Sequence, residues 1–163
     1  FALGDLALYE TLHTNPACRI APSSYANNPS IIAQQDNMRS VNTCLEIDLL
    51  GQISSESIGA VQFSGTGGAA DFASGAIRAK NGRGIVAFTS TAKKGTMSKI
   101  KCLLTPGSAV TIHRNLADTI VTEYGIAELK GLSVPERARA LISIAHPDFR
   151  EQLTEEAKQI GFI

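Results

Sequence analysis

Residues 60–88 read AVQFSGTGGAADFASGAIRAKNGRGIVAF, and this stretch decides the fold class. Ala60 to Phe63 reads as a short strand that runs into Ser64-Gly65-Thr66-Gly67-Gly68. Asp71 to Lys80 then reads as a helix, closed by Gly82-Arg83-Gly84. Ile85 to Phe88 is a compact apolar strand. Strand, glycine turn, helix and strand in this order are the unit of an α/β architecture. Gly65 to Ala70 also fits the pattern G-x-G-x-x-A. Glycines let a backbone approach a ligand closely, and the N–H groups at a helix start point at an anion or a developing oxyanion. A tight turn without a ligand has the same composition, so both readings stay open here.

Charge separates the ligand classes. Between Phe72 and Ala117 lie eight cations, Arg78, Lys80, Arg83, Lys93, Lys94, Lys99, Lys101 and Arg114, and no acid. Such a block beside a glycine loop suits a phosphorylated ligand. A solvated cationic face is the plainer alternative. A dinucleotide site is disfavoured, because it wants an acid about 20 residues past the glycines, and that region here is Thr89-Ser90-Thr91 followed by Lys93-Lys94.

Working outward, Leu3 to Leu12 carries a helical leucine stripe that Asn15-Pro16 stops, and Pro29 opens a short helix through Gln34. Val41, Leu45, Ile47 and Leu49 sit on odd positions, which predicts one strand ended by Gly51. Ile100–Leu104, Ala109–Ile112 and Thr119–Thr122 read as further strands. Val121 to Gly125 reads as a strand-to-helix junction, with Glu123 either a site acid or an early-helix acid. Ser133 and Glu136 have capping-box spacing ahead of a helix, and Phe149, Leu153, Ala157 and Ile160 make the stripe of a last helix capped by Gly161. His146, before Pro147, reads as a capping or packing histidine.

The 163 residues are 44% hydrophobic and 18% charged, enough apolar content for one domain with a sizeable core. Fifteen Lys+Arg balance 15 Asp+Glu, with no Trp and 6% aromatic residues. That argues against nucleic acid as a partner, whether through bulk charge or base stacking. No apolar run is long enough to span a membrane. Cys18, Cys44 and Cys102 are odd in number and widely spaced, and His13, His113 and His146 lack ligand spacing, so no metal is expected and a reduced, cytoplasmic setting is. There is no G-x-S-x-G, and no His–Asp pair can be assigned to Ser64.

Several segments together carry a family resemblance. They are Leu-Leu-Gly-Gln at 49–52, Ser-Glu-Ser-Ile-Gly at 55–59, Ser-Gly-Thr-Gly-Gly at 64–68, Asp71-Phe72 with Gly75-Ala76, and Ser90-Thr91. Val-Thr-Glu-Tyr-Gly-Ile-Ala at 121–127, Glu136-Arg137-Ala138 and Ala-His-Pro-Asp-Phe-Arg at 145–150 complete the set. The chain resembles the C-terminal domain of the acetyl-CoA hydrolase/transferase family, and within it the 4-hydroxybutyrate and butyryl-CoA:acetate CoA-transferases. The resemblance implies a three-layer α/β/α domain with a mixed, mainly parallel sheet.

It also implies a class I CoA-transferase that uses coenzyme A thioesters as substrates and needs no permanently bound cofactor. Residues 1–163 would be most of the second domain of a longer two-domain subunit. The nucleophilic glutamate would lie N-terminal to them, since Glu46, Glu56 and Glu123 do not occupy its motif, and no residue here would be the nucleophile. The loop Gly65, Thr66, Gly67 and Gly68 would offer a backbone donor to the thioester. Asn27 corresponds to an active-site asparagine in relatives, and Asn115 to a position where some carry a glutamate. Lys93 and Lys94 are the candidates for the CoA phosphates. The partners implied are an acyl-CoA, a carboxylic acid, the N-terminal part of the same subunit, and further copies in a homo-oligomer. An acetyl-CoA hydrolase, or a non-catalytic module for a phosphorylated ligand, are the alternatives.

Overall fold

The glycine-bounded segment does alternate helix and strand. The structure is a computed structural model, and it describes residues 2–163. Three short helices come first, α1 (Leu6–Leu12), α2 (Ser23–Ala26) and α3 (Pro29–Ile32). Five strands follow, β1 (Arg39–Asn42), β2 (Glu46–Asp48), β3 (Ile53–Ser54), β4 (Ser57–Ile58) and β5 (Val61–Gln62), and then α4 (Ala69–Ala76). After β6 (Arg83–Ala87) come β7 (Thr91–Ala92), β8 (Met97–Ser98), β9 (Ile100–Lys101), β10 (Thr119–Thr122) and β11 (Gly125–Glu128). The chain closes with α5 (Val134–Ser143) and α6 (Pro147–Gln159).

The central sheet has the order β1-β6-β10-β11. β1, β6 and β10 are parallel and β11 is antiparallel, so the mixed, mainly parallel sheet expected from the sequence is the one observed. A second sheet, β3-β2-β9, carries Ile47, Ile53 and Ile100, all fully buried. The reading of residues 41–49 as one strand is corrected: β1 and β2 belong to different sheets, and the chain crosses between them at residues 43–45. The alternation spans the break because each half keeps its own inward face. Residues 109–112 form no strand, only a bridge from Ile112 to Ile53. The junction read at Val121–Gly125 is instead a hairpin, with Glu123-Tyr124 as the turn between β10 and β11.

One face of the central sheet bears the helices. A Cβ at Gly84 would touch Ala73 of α4 and Ile77 just beyond it, and one at Gly125 would touch Ile144 beyond α5. The register puts Gly84, Val86, Ile120 and Ala127 on that side, and Val86, Ile120, Ala127, Leu129, Leu141 and Leu153 share one buried cluster. The opposite side presents Val41, Ile85, Val121 and Ile126, of which Val41 is 65% and Ile126 66% exposed. Of the three layers expected, this chain supplies the sheet and the helices of one side. The leucine stripe of α1 meets no core: its described residues are all exposed or half-exposed.

Candidate functional site

β4 and β5 pair antiparallel, and the N–H groups of Phe63 and Ser64 both donate to the Glu56 carbonyl, at 2.7 and 3.2 Å. That double anchor turns the chain out into the glycine loop. Gly67 has φ +59°, a left-handed conformation that glycine adopts without steric cost. Neither Gly65 nor Gly67 has an atom within 4 Å of where a side chain would begin, so the loop's outer side is open. Gly68 is the N-cap of α4 and brings no side chain to satisfy the first-turn donors, which is the arrangement that receives an anion or oxyanion.

Asn27 lies directly against this loop. A Cβ at Gly68 would collide with its amide nitrogen. Asn27 itself is the C-cap of α2, its N–H donating to the Ser23 carbonyl at 2.8 Å. With Ser23, Ser24, Asn28, Pro29 and Asp71 it lines a cavity of about 460 Å³. The tertiary fold therefore joins two features more than 35 residues apart in the chain. Because α4 leads back into β6, its N-terminus stands at the carboxyl edge of the parallel strands, where open α/β sheets bind ligands.

The cationic block does not stay together. Lys80 pairs with Asp36 at 3.4 Å, Arg83 with Glu128 at 2.6 Å, and the Lys99 ammonium sits over the Phe88 ring at 5.0 Å. Lys93 and Lys94 are exposed and pair with no carboxylate among the described residues. They open the four-residue loop, 93–96, of the β7–β8 hairpin, which leaves the carboxyl end of β6. Both are left-handed, φ +49° and +59°, and Gly95 N–H closes the turn on the Ala92 carbonyl at 3.1 Å. Left-handed positions favour glycine or asparagine, and a left-handed residue of another type costs roughly 1–2 kcal/mol.

Asn115 does not join Asn27 in a cavity. It lines another one, with Arg114, Ser133 and Arg137, ahead of the N-terminal end of β10. The buried acids are engaged elsewhere. Glu46 accepts hydrogen bonds from Thr105 N–H, Thr105 Oγ1 and Ser108 Oγ at 2.8–2.9 Å. Asp48 accepts from Leu50 and Gln52, and burial still pushes its carboxyl up. Glu56 accepts from Thr111 Oγ1 at 2.9 Å. His146 caps α6 through Nδ1, which accepts from Asp148 N–H at 3.3 Å, as the capping reading anticipated.

Sequence reasoning missed Ser90 as a partner of Glu123. Ser90 is fully buried, and its N–H and Oγ donate to the two Glu123 oxygens at 2.8 and 2.6 Å. Partial desolvation works against the charged carboxylate, but these hydrogen bonds outweigh it and hold Glu123 below the usual glutamate range. The signal available was Ser90-Thr91 directly after a strand, although the partner 33 residues on leaves no mark in the spacing. No group of three or more metal-ligating side chains occurs among the described residues, and no described helix is long and apolar enough to cross a membrane.

Residues 4–157 match the acetyl-CoA hydrolase/transferase C-terminal domain. The chain belongs to that family. It is 50% identical over 159 residues to the 4-hydroxybutyrate coenzyme A transferase of Clostridium kluyveri, covering 98% of this chain and 37% of that protein. It is 48% identical to the butyryl-CoA:acetate CoA-transferase of Anaerostipes caccae, covering 98% of this chain and 36% of the relative. The structure superposes on RipA from Yersinia pestis with a TM-score of 0.92 at 47% identity, over 100% of this chain and 37% of the other. This acetyl-CoA hydrolase/transferase C-terminal domain thus spans a little over a third of the length of the relatives it matches.

Proposed function

We propose that this chain forms one wall of a CoA-transferase active site that moves CoA between a short-chain acyl-CoA and a carboxylic acid such as acetate. Acyl groups of the 4-hydroxybutyryl, butyryl or acetyl type fit the relatives' named activities. The observation that carries the reading is Asn27 packed on Gly68 at the open N-terminus of α4. This places an amide donor beside backbone donors, the equipment for stabilising the oxyanion of an attacked thioester. The nucleophile comes from outside these residues, in the remainder of a two-domain subunit. Its glutamate carboxylate attacks the thioester carbonyl and expels CoA thiolate, leaving an acyl-glutamyl anhydride. The thiolate then attacks the glutamyl carbonyl, giving a glutamyl-CoA thioester and the free acid. Lys93 and Lys94 hold CoA phosphates, and the subunits associate as a homo-oligomer.

The test is a coupled assay of the complete enzyme over short acyl-CoAs and acids, with borohydride trapping of the glutamyl-CoA thioester. Acid-dependent CoA transfer and an adduct outside residues 1–163 are expected. Release of CoA to water without an acid requirement would instead identify a hydrolase. An adduct on Glu46, Glu56 or Glu123 would overturn the placement of the nucleophile.

A further inference from the structure

We infer that Glu123 is a positioning residue for acyl-CoA binding: through Ser90 it holds the Lys93–Lys94 hairpin at the angle that meets the CoA phosphates. The inference rests on the phosphate reading of those lysines. The chain of contacts starts at a rigid point. Thr122 Oγ1 donates to the Ile144 carbonyl at 2.6 Å and accepts from Tyr124 N–H at 3.1 Å. The Tyr124 ring is held between His146, edge-on at 5.2 Å between centroids, and Arg150, whose guanidinium lies 5.7 Å from the ring centre. The Glu123-Tyr124 turn is thus locked onto the α5–α6 junction.

From this turn the Glu123 carboxylate reaches across the carboxyl edge of the sheet and takes both donors of Ser90. Ser90 is the last residue before β7. Its carbonyl accepts from Lys99 N–H at 2.8 Å, so the same residue closes the base of the hairpin from the returning side. Between these fixed points the hairpin has four paired residues and a turn, and no charge partner holds its tip among the described residues. The base is held from both sides, and the returning arm, Thr96–Ser98, faces Phe149 and Gln152 of α6 across a cavity. Two lysines occupy left-handed positions that glycine or asparagine would fill with less strain. That choice makes sense when the charges at the tip are needed and their placement is enforced from below.

The experiment uses the complete enzyme with Glu123→Ala, Ser90→Ala, Lys93→Ala/Lys94→Ala and their combinations. Each is assayed with acyl-CoA and with the matching acyl-pantetheine, which lacks the nucleotide phosphates. Adenosine 3′,5′-bisphosphate serves as the competitive probe. The lysine variant should raise KM for acyl-CoA roughly tenfold, as loss of charge-assisted contacts does. Glu123→Ala should raise it several-fold, weaken the bisphosphate by the same factor, leave kcat near its starting value, and add nothing once the lysines are gone. Acyl-pantetheine kinetics should not respond. Ser90→Ala removes only the hydroxyl donor and should give a smaller shift of the same kind, which keeps the test available if Glu123→Ala does not fold. An unchanged KM in the lysine variant would remove the phosphate reading and the inference with it. A lysine effect without a Glu123 effect, independent multiplication of the two, or an equal loss with acyl-pantetheine would overturn the inference alone.

Discussion

At the scale of single residues, the tightest constraint on the site is Gly68. It has ordinary φ, so an alanine there is not strained by its own backbone. Its methyl group would instead displace the Asn27 amide. Gly68→Ala should therefore lower turnover of the complete enzyme on the order of a hundredfold, as losing one oxyanion donor does, while circular dichroism stays unchanged. Gly67 is the opposite case, with open space around it and φ +59°. Cys44 provides a second residue-scale test. It is 3% exposed, and burial pushes its thiol up to about 12, although Lys99 nearby works the other way. Only a thiolate reacts with disulfide reagents. At pH 8 the exposed Cys18 should react at once, and Cys44 only after denaturation.

At the scale of elements, helix–helix contact decides what propensity would get wrong. Alanine normally improves a helix over glycine by about 1 kcal/mol. Gly75 lies in the last turn of α4, where a Cβ would come within 2.5 Å of Ile32 on α3 and 3.2 Å of the Pro29 carbonyl. Gly75→Ala should lower the melting temperature and loosen the α3 segment that follows Asn27. At the start of α5, Glu136 accepts from Ser133 Oγ and N–H at 2.6 and 2.8 Å. The Ser133 side-chain bond is the main reason its carboxyl sits below the usual glutamate value. A lowered carboxyl pKa means the unfolded chain binds the proton more readily, so this stabilisation is complete above the ordinary glutamate value and is lost as pH falls through the folded one. Thermal melts of Glu136→Gln and the parent should differ at neutral pH and converge in acid.

At the scale of the whole molecule, the two faces of the central sheet are unequal. Parallel sheets are ordinarily covered on both sides, yet Val41 and Ile126 stand about two-thirds exposed. In the 163-residue chain, Val41→Thr and Ile126→Thr should each change unfolding free energy by less than about 0.5 kcal/mol. Ile100→Ala, at a fully buried position of the second sheet, should cost about 2–5 kcal/mol. Urea denaturation of the three variants gives the comparison directly.

Local chemistry made much of this legible in the sequence. The glycine run at 65–68 needs small residues to turn sharply into a helix, Pro135 and Ser133 start α5, and Gly161 ends α6 with φ +74°. Those signals act over a few residues, so the helix–strand alternation and the family motifs could be read without coordinates. Long-range pairing could not. Period two marks a strand but not its sheet, so Val41 and Ile47 looked like neighbours on one face, when one is 65% exposed and the other fully buried. The hairpin at Glu123-Tyr124 was hidden because β11 begins at a glycine and its Ile126 points outward. The meeting of Asn27 with Gly68, the separation of Asn115 from both, and the clasp of Ser90 by Glu123 were decided only by tertiary packing. Hydrogen bonds and contacts between residues 33 or more apart depend on how the elements stack, and side-chain identity alone carries no record of that.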